Sequence, residues 1–235
     1  SPHYSIHSSN PASHIFEVTL HIEDPSEEET LWMPTWIPGS YLIREFARNL
    51  LDIQAKDEEG SLSIYKTNKS TWKLHTRSNA TTITYRVYAW DLSVRAAHLD
   101  QKHGYFNGTS IFLAIQGRED LQHNVTLHTP QGCTDWKVAT TLPKKDDKLY
   151  EFGEYYAPDY DALIDHPVEM GPFTLLHFNA AETPHEVAIT GTFSIEAERL
   201  CADLTTICTY LIEFFGSPAP VERYLFQVMV VGNGY

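Results

Sequence analysis

The chain has 235 residues, of which 42% are hydrophobic and 12% aromatic, so it is long enough to bury one large core, or one core and part of a second. Its 17 Lys and Arg stand against 31 Asp and Glu, a formal charge of −14, which argues against nucleic acid as a partner because phosphate-backbone binding depends on clustered cations. No stretch approaches the ~20 apolar residues of a membrane span, so no membrane partner is expected.

Ser1 to Asn10 is polar and contains histidines, unlike a signal peptide. Cys133, Cys201 and Cys208 are odd in number and unsuited to a disulfide framework. Together these point to a reducing, cytoplasmic location, with the periplasm left open should a leader precede the chain. The triplets that begin at Asn68, Asn79, Asn107 and Asn124 match the glycosylation pattern, but such triplets arise by chance in a Thr-rich β protein.

Up to about residue 157 the chain reads as short strands. His14–Glu23 alternates, with Phe16, Val18, Leu20 and Ile22 on one side, the period of a half-buried strand. Thr81–Trp90 repeats it with Ile83, Tyr85, Val87 and Ala89 inward. Leu50–Ala55, Ser70–Thr76, Ser110–Ile115, His123–His128 and Trp136–Thr140 complete a run spaced like a sandwich or saddle-shaped sheet. Asp57–Gly60 and Lys144–Asp147 read as solvated turns. Pro34, Trp36, Pro38 and Gly39 predict a stiff loop anchored in the core by Trp36.

From Pro158 the character changes. Pro158–Gly171 reads as a connection with one helical turn, followed by strands at Phe173–Asn179 and His185–Thr190. Ser194 is placed to cap a helix that ends before Gly216. Leu200, Leu204, Ile207, Leu211 and Phe214/Phe215 give it an apolar face, with Cys201 and Cys208 near that face as core thiols. Tyr224–Val231 is a continuous apolar run of the kind found in strands covered on both sides. The expected fold is therefore mainly β: a sandwich or saddle-like domain over 1–157, then a linker and the opening of an α+β domain over 158–235.

A helical zinc hydrolase site needs two His four apart with a Glu beside the first, so that both imidazoles reach one ion and the Glu activates its water. His185-Glu186 begins that pattern, but Ile189 stands where the second ligand belongs, in a run that reads as strand, where four residues span about 13 Å. His3/His7 lie in an extended segment, and His98/His103 and His123/His128 are five apart; none is a metal site unless folding gathers separated histidines. There is no G-x-S-x-G, C-x-x-C or P-loop pattern. Gly232-Asn-Gly234 is only half of a dinucleotide fingerprint. Asp159/Asp161 and Asp165/Glu169 are paired acids that read as solvated turn residues.

Met33-Pro-Thr-Trp-Ile-Pro-Gly-Ser-Tyr-Leu-Ile-Arg-Glu-Phe-Ala-Arg-Asn-Leu50 is a string that strand periodicity does not generate. It resembles the signature near the start of the glycyl aminopeptidase family, zinc metallopeptidases that usually carry a PDZ domain. Gly104–Ser110, Gly132–Leu142 and Tyr160–Gly171 agree in the same order. The resemblance implies a β-rich N-terminal domain followed by the start of a thermolysin-like catalytic domain. It also implies that the Gly-Gly-Leu-Glu-His-like segment and the H-E-x-x-H zinc site of the family lie beyond Tyr235. On that expectation the chain carries no catalytic residue, metal ligand or cofactor of its own and is inactive alone. Zinc, and a peptide partner with a free N-terminus (glycine or alanine type), belong to the parent enzyme. By motif position, Tyr105, Phe106, Asn107, Glu169 and Met170 are the expected wall of the substrate channel. The alternatives are a self-contained β-sandwich module that binds carbohydrate or protein, or a purely structural domain.

Overall fold

The structure is a computed structural model that describes residues 1–232; Gly234 of the half fingerprint lies outside them. Its strands are β1 (His3–His7), β2 (Ile15–Glu23), β3 (Glu28–Trp32), β4 (Leu50–Asp57), β5 (Gly60–Leu62) and β6 (Ile64–Asn68). There follow β7 (Thr71–His75), β8 (Ala80–Tyr88), β9 (Ala97–Leu99), β10 (Gly104–Phe106), β11 (Ala114–Ile115) and β12 (His123–Leu127). β13 (Lys137–Ala139), β14 (Gly153–Ala157), helix α1 (Tyr160–Asp165) and β15 (Val168–Gly171) come next. β16 (Thr174–Ala180), β17 (Thr183–Thr190), helix α2 (Ala197–Phe215) and β18 (Tyr224–Met229) complete the chain.

A seven-stranded sheet runs β14-β12-β1-β2-β8-β4-β5, and two four-stranded sheets run β13-β15-β10-β9 and β11-β3-β7-β6. All three contribute to one apolar core: Phe16 and Leu20 from the first, Phe106 and Met170 from the second, Leu31 and Trp72 from the third. The alternation read in β2 and β8 decides this. Phe16, Val18, Leu20 and Ile22 are buried, as are Ile83, Tyr85 and Val87 on β8, which pairs with β2 in antiparallel register.

The polar N-terminus is a strand that composition hid. β1 lies between β2 and β12, parallel to β12. Tyr4 and Ile6 point into the core, while His3 meets Thr126 Oγ1 at 2.8 Å and Ser5 Oγ meets His128 at 2.8 Å on the outer face.

The expected strand Ser110–Ile115 is mostly not one. A 3-10 turn at Gly108–Ser110 leads into Ile111-Phe112-Leu113, fully buried with no strand neighbour among the described residues, before β11. Each polar backbone group of this segment is nevertheless satisfied. The amides of Ile111 and Phe112 donate to Gly108 O, and that of Leu113 to Tyr85 Oη. The three carbonyls accept from three buried tyrosines: Ile111 from Tyr85 at 2.7 Å, Phe112 from Tyr160 at 2.7 Å, and Leu113 from Tyr4 at 2.7 Å. Gly108 is required there, because a Cβ would lie 2.8 Å from Ile164 Cα of α1.

Other expectations need correction. Trp36 is 49% exposed rather than a core anchor; its indole N–H donates to Ser40 O, and Met33 and Phe46 do the anchoring. Tyr160, Leu163, Val168 and Met170, read as part of a connection, pack into the main core. α2 starts at Ala197 after Glu196, not at Ser194. It packs against β16, but Ile207, Leu211, Phe214 and Phe215 are exposed, and Cys208 is its one buried residue. β18 forms the outer strand of a three-stranded sheet β16-β17-β18, parallel to β17 and only partly buried among the described residues, not covered on both sides.

Tyr85→Phe strands both the Leu113 amide and the Ile111 carbonyl, and is expected to lower unfolding stability by about 1–3 kcal/mol; urea denaturation reads this. Tyr4→Phe and Tyr160→Phe, which each strand one carbonyl, should cost less.

His123 packs against the rings of Tyr4 and Tyr160, donates through Nδ1 to Leu121 O at 2.7 Å, and leaves Nε2 buried without a partner. Burial pushes its pKa down, so the unfolded chain takes up the proton first and stability falls as pH drops from about 6.5. Thermal melts between about pH 7 and pH 5 should show a shallower decline in His123→Gln than in the native chain.

Candidate functional site

The hairpin β9–β10 brings His98 opposite Tyr105, and β15 lies on its other side with Glu169 opposite Tyr105. Gly104 lets β15 come this close: a Cβ there would sit 2.9 Å from Met170 Cγ. The strand period then sorts the expected channel residues. Tyr105 and Glu169 share one face and border a cleft, whereas Phe106 and Met170 point the opposite way into the core, where both are fully buried. Asn107 is buried too. Its Oδ1 accepts from the amide and hydroxyl of Thr109, at 3.1 and 2.7 Å, and its own amide donates to Ala96 O. Asn107 thus shapes the backbone that leads to the tyrosine-bound segment. Of the five residues, only Tyr105 and Glu169 reach the cleft.

The cleft holds about 570 Å³ between this hairpin, the loop at Leu92–Val94, and Val228, Met229 and Val231 at the end of β18. Its walls are mainly apolar. Tyr105 Oη donates to Val94 O at 2.9 Å, which braces that loop. Burial, then Glu169, pushes the Tyr105 pKa up to about 12, so the phenol stays protonated. Glu169 Oε1 accepts from Thr190 Oγ1 at 2.7 Å and lies 3.1 Å from His103 Nδ1. Burial pushes the Glu169 pKa up, opposed by the bond to His103. Sequence reading classed Glu169 as a solvated turn acid; it is a buried strand residue.

Folding also assembles two clusters that sequence alone did not reveal. His98, Asp100 and His103 come together on the hairpin, each with a ligand atom within 4.8 Å of the others. Burial lowers the His98 pKa, opposed by Asp100. Burial works against ionised Asp100, but the amides of Lys102 and His103 hold its carboxyl below the usual range. The second cluster ties the three-stranded sheet to the β domain. Arg223 Nε donates to Glu186 at 2.8 Å, Tyr150 Oη donates to the same carboxylate at 2.6 Å, and Arg223 also donates to Thr140 O. Gln227 reaches Ala139 O and Pro167 O across the same seam. His185-Glu186 is therefore no zinc pair: it lies on β17, with His185 Nδ1 bonded to Thr183 O and Glu186 held by Arg223. Asp159 caps α1 through the Ala162 amide. All three cysteines are free.

A mainly β fold of several sheets matches the N-terminal β domain of aminopeptidases. The profile of the Peptidase M61 N-terminal domain matches residues 3–172, and the chain belongs to that family. Over its whole length the chain is similar to the crystal structure of an aminopeptidase N family protein from Idiomarina loihiensis, with TM-score 0.96 and 41% identity. The chain spans only 40% of that protein. An aminopeptidase A from Legionella pneumophila is similar over 96% of this chain and 28% of its own, with TM-score 0.54 and 10% identity, which is a likeness of fold. No curated protein sequence is a significant match.

Arg223→Ala leaves Glu186 largely buried without its cation, and is expected to cost about 3 kcal/mol in urea unfolding. Limited proteolysis should then cut the 183–230 region of the variant first.

Proposed function

We propose that this chain is the non-catalytic N-terminal part of a zinc aminopeptidase of the glycyl aminopeptidase type. In this role it supports the catalytic domain and supplies one wall of the channel for peptides with a free glycyl or alanyl N-terminus. Membership of the M61 N-terminal domain family supports the peptidase part of this reading. The observation that carries the channel part is the placement of Tyr105 and Glu169 on one side of a cleft that opens where the β domain meets the three-stranded sheet.

The chemistry of that wall is simple. An N-terminal amine is a cation, and a carboxylate partly shielded from water attracts it more strongly than one in bulk solvent. The net charge of −14 adds a diffuse pull in the same direction. Tyr105 contributes a neutral ring and a fixed hydroxyl, and the flanking Leu92, Val94 and Met229 exclude water. The zinc of the parent reaction finds no ligand set among the described residues that fits an H-E-x-x-H site, because His185 and Glu186 are spent on backbone and Arg223. No step of the hydrolysis is assigned to this chain.

In the full-length peptidase, Glu169→Gln is expected to lower kcat/KM for glycyl- and alanyl-anilides about tenfold, mainly through KM. Tyr105→Phe should have a smaller effect in the same direction. Unchanged kcat/KM in both variants would remove Tyr105 and Glu169 from the channel, while loss of turnover on chelation tests the zinc chemistry separately.

A further inference from the structure

His98, Asp100 and His103 form a compact set that the channel reading does not use. All three come from one hairpin in the spacing H-x-D-x-x-H. His98 and Asp100 are two residues apart at the end of β9, which puts them on one side of the strand. The turn that follows is closed by the Asp100 amide donating to His103 O at 3.0 Å, which returns His103 to the same place. Asp100 Oδ1 is engaged, accepting from the amides of Lys102 at 2.7 Å and His103 at 3.0 Å. Its Oδ2 is turned towards His98 Nε2, 3.4 Å away. The two imidazoles lie with centroids 4.9 Å apart and planes within 20°.

We infer that these three residues bind one divalent transition-metal ion of the zinc class. Two imidazoles and one carboxylate are a nitrogen-rich donor set that suits Zn²⁺, Co²⁺ or Ni²⁺ and not Ca²⁺ or Mg²⁺, which take oxygen ligands. Ligand atoms around tetrahedral zinc are about 3.4 Å apart, so the His98–Asp100 pair already has that spacing. The full set lies within 4.8 Å, and binding one ion requires the two stacked rings to tilt until their in-plane lone pairs meet at it.

The surroundings match what a metal-binding histidine needs. His103 Nδ1 faces the Glu169 carboxylate, itself fixed by Thr190, which is the carboxylate–histidine arrangement that orients a ligand ring. His98 is held from the other side by the ring of Trp90, at 4.8 Å, which rests on His14. His98 and His103 are buried, while Asp100 is partly exposed, so solvent has an approach and the remaining coordination position is open to water. The ion would clasp the hairpin that carries Tyr105. The three ligands all come from the hairpin, and the inference does not depend on the peptidase reading.

The test uses the 235-residue chain stripped of metal with a chelator, then titrated with zinc by calorimetry and with cobalt by visible absorption. One zinc per chain, cobalt d–d bands of a four- or five-coordinate ion, and a melting temperature that rises with zinc are expected. Asp100→Asn keeps the oxygen that accepts from the Lys102 and His103 amides and removes the charge; it and His98→Gln should each weaken zinc binding more than about tenfold. Glu169→Gln should weaken it about tenfold through His103. His128→Ala, which disrupts the exposed His7–His128 pair on the outer sheet face, should leave zinc binding unchanged. Absence of binding at saturating zinc would overturn the site, as would binding that survives both His98→Gln and Asp100→Asn or is lost in His128→Ala.

Discussion

The β domain depends on one constraint: a stretch of backbone runs through the core without a strand beside it. Ile111-Phe112-Leu113 brings three carbonyls and an amide into a place where water cannot reach, and each would cost on the order of 1–3 kcal/mol if left alone. Three tyrosine hydroxyls resolve the problem, one from β1, one from β8 and one from α1. A single stretch thereby fixes the relative positions of the N-terminal strand, a central strand and the helix that precedes β15. Burial drives the pKa of all three phenols upward, so they remain donors at any pH the protein meets.

That arrangement propagates to the cleft. Asn107 and Gly108 start the buried stretch, and Gly108 is pressed against α1, so the end of β10 cannot shift without disturbing the tyrosine contacts. β10 in turn fixes Tyr105, and β15, which follows α1, fixes Glu169 opposite it. The two residues that face the cleft are therefore held from the core side, by Phe106 and Met170 one position along each strand. The Gly104–Ser110 string is accounted for by packing at Gly104, Phe106, Asn107 and Gly108, with Tyr105 the single member left for the cleft.

Much of the β domain was legible because burial on one face writes itself as alternation, as in Phe16–Ile22 and Ile83–Val87. β1 was not, since its outward His3, Ser5 and His7 dominate five residues and only Tyr4 and Ile6 carry the inward signal. Ser110–Ile115 misled for the opposite reason: Ile111, Phe112 and Leu113 are apolar and buried, yet their hydrogen bonds go to side chains distant in sequence, which no local pattern encodes. Trp36 was assigned to the core by residue type, whereas its indole closes a surface loop on Ser40. At the site, the distinction between Tyr105 and Phe106 followed from strand parity, but the grouping of His98 with His103 required the turn at Asp100. Glu169 required the pairing of β10 with β15 across more than sixty residues of sequence.

Glu169 is one of the places where the two parts of the structure meet. Its carboxylate accepts from Thr190 on β17 and faces His103 on the hairpin, so it is shared between the β domain and the three-stranded sheet. Burial alone would favour the protonated acid; the histidine and the hydroxyl favour the anion. The Arg223–Glu186 pair and the Gln227 bonds hold the same seam, so they support the placement of Thr190 as well as the docking of the sheet. The position of the Glu169 carboxylate therefore depends on the docking of the three-stranded sheet, because Thr190 supplies one of its two side-chain contacts.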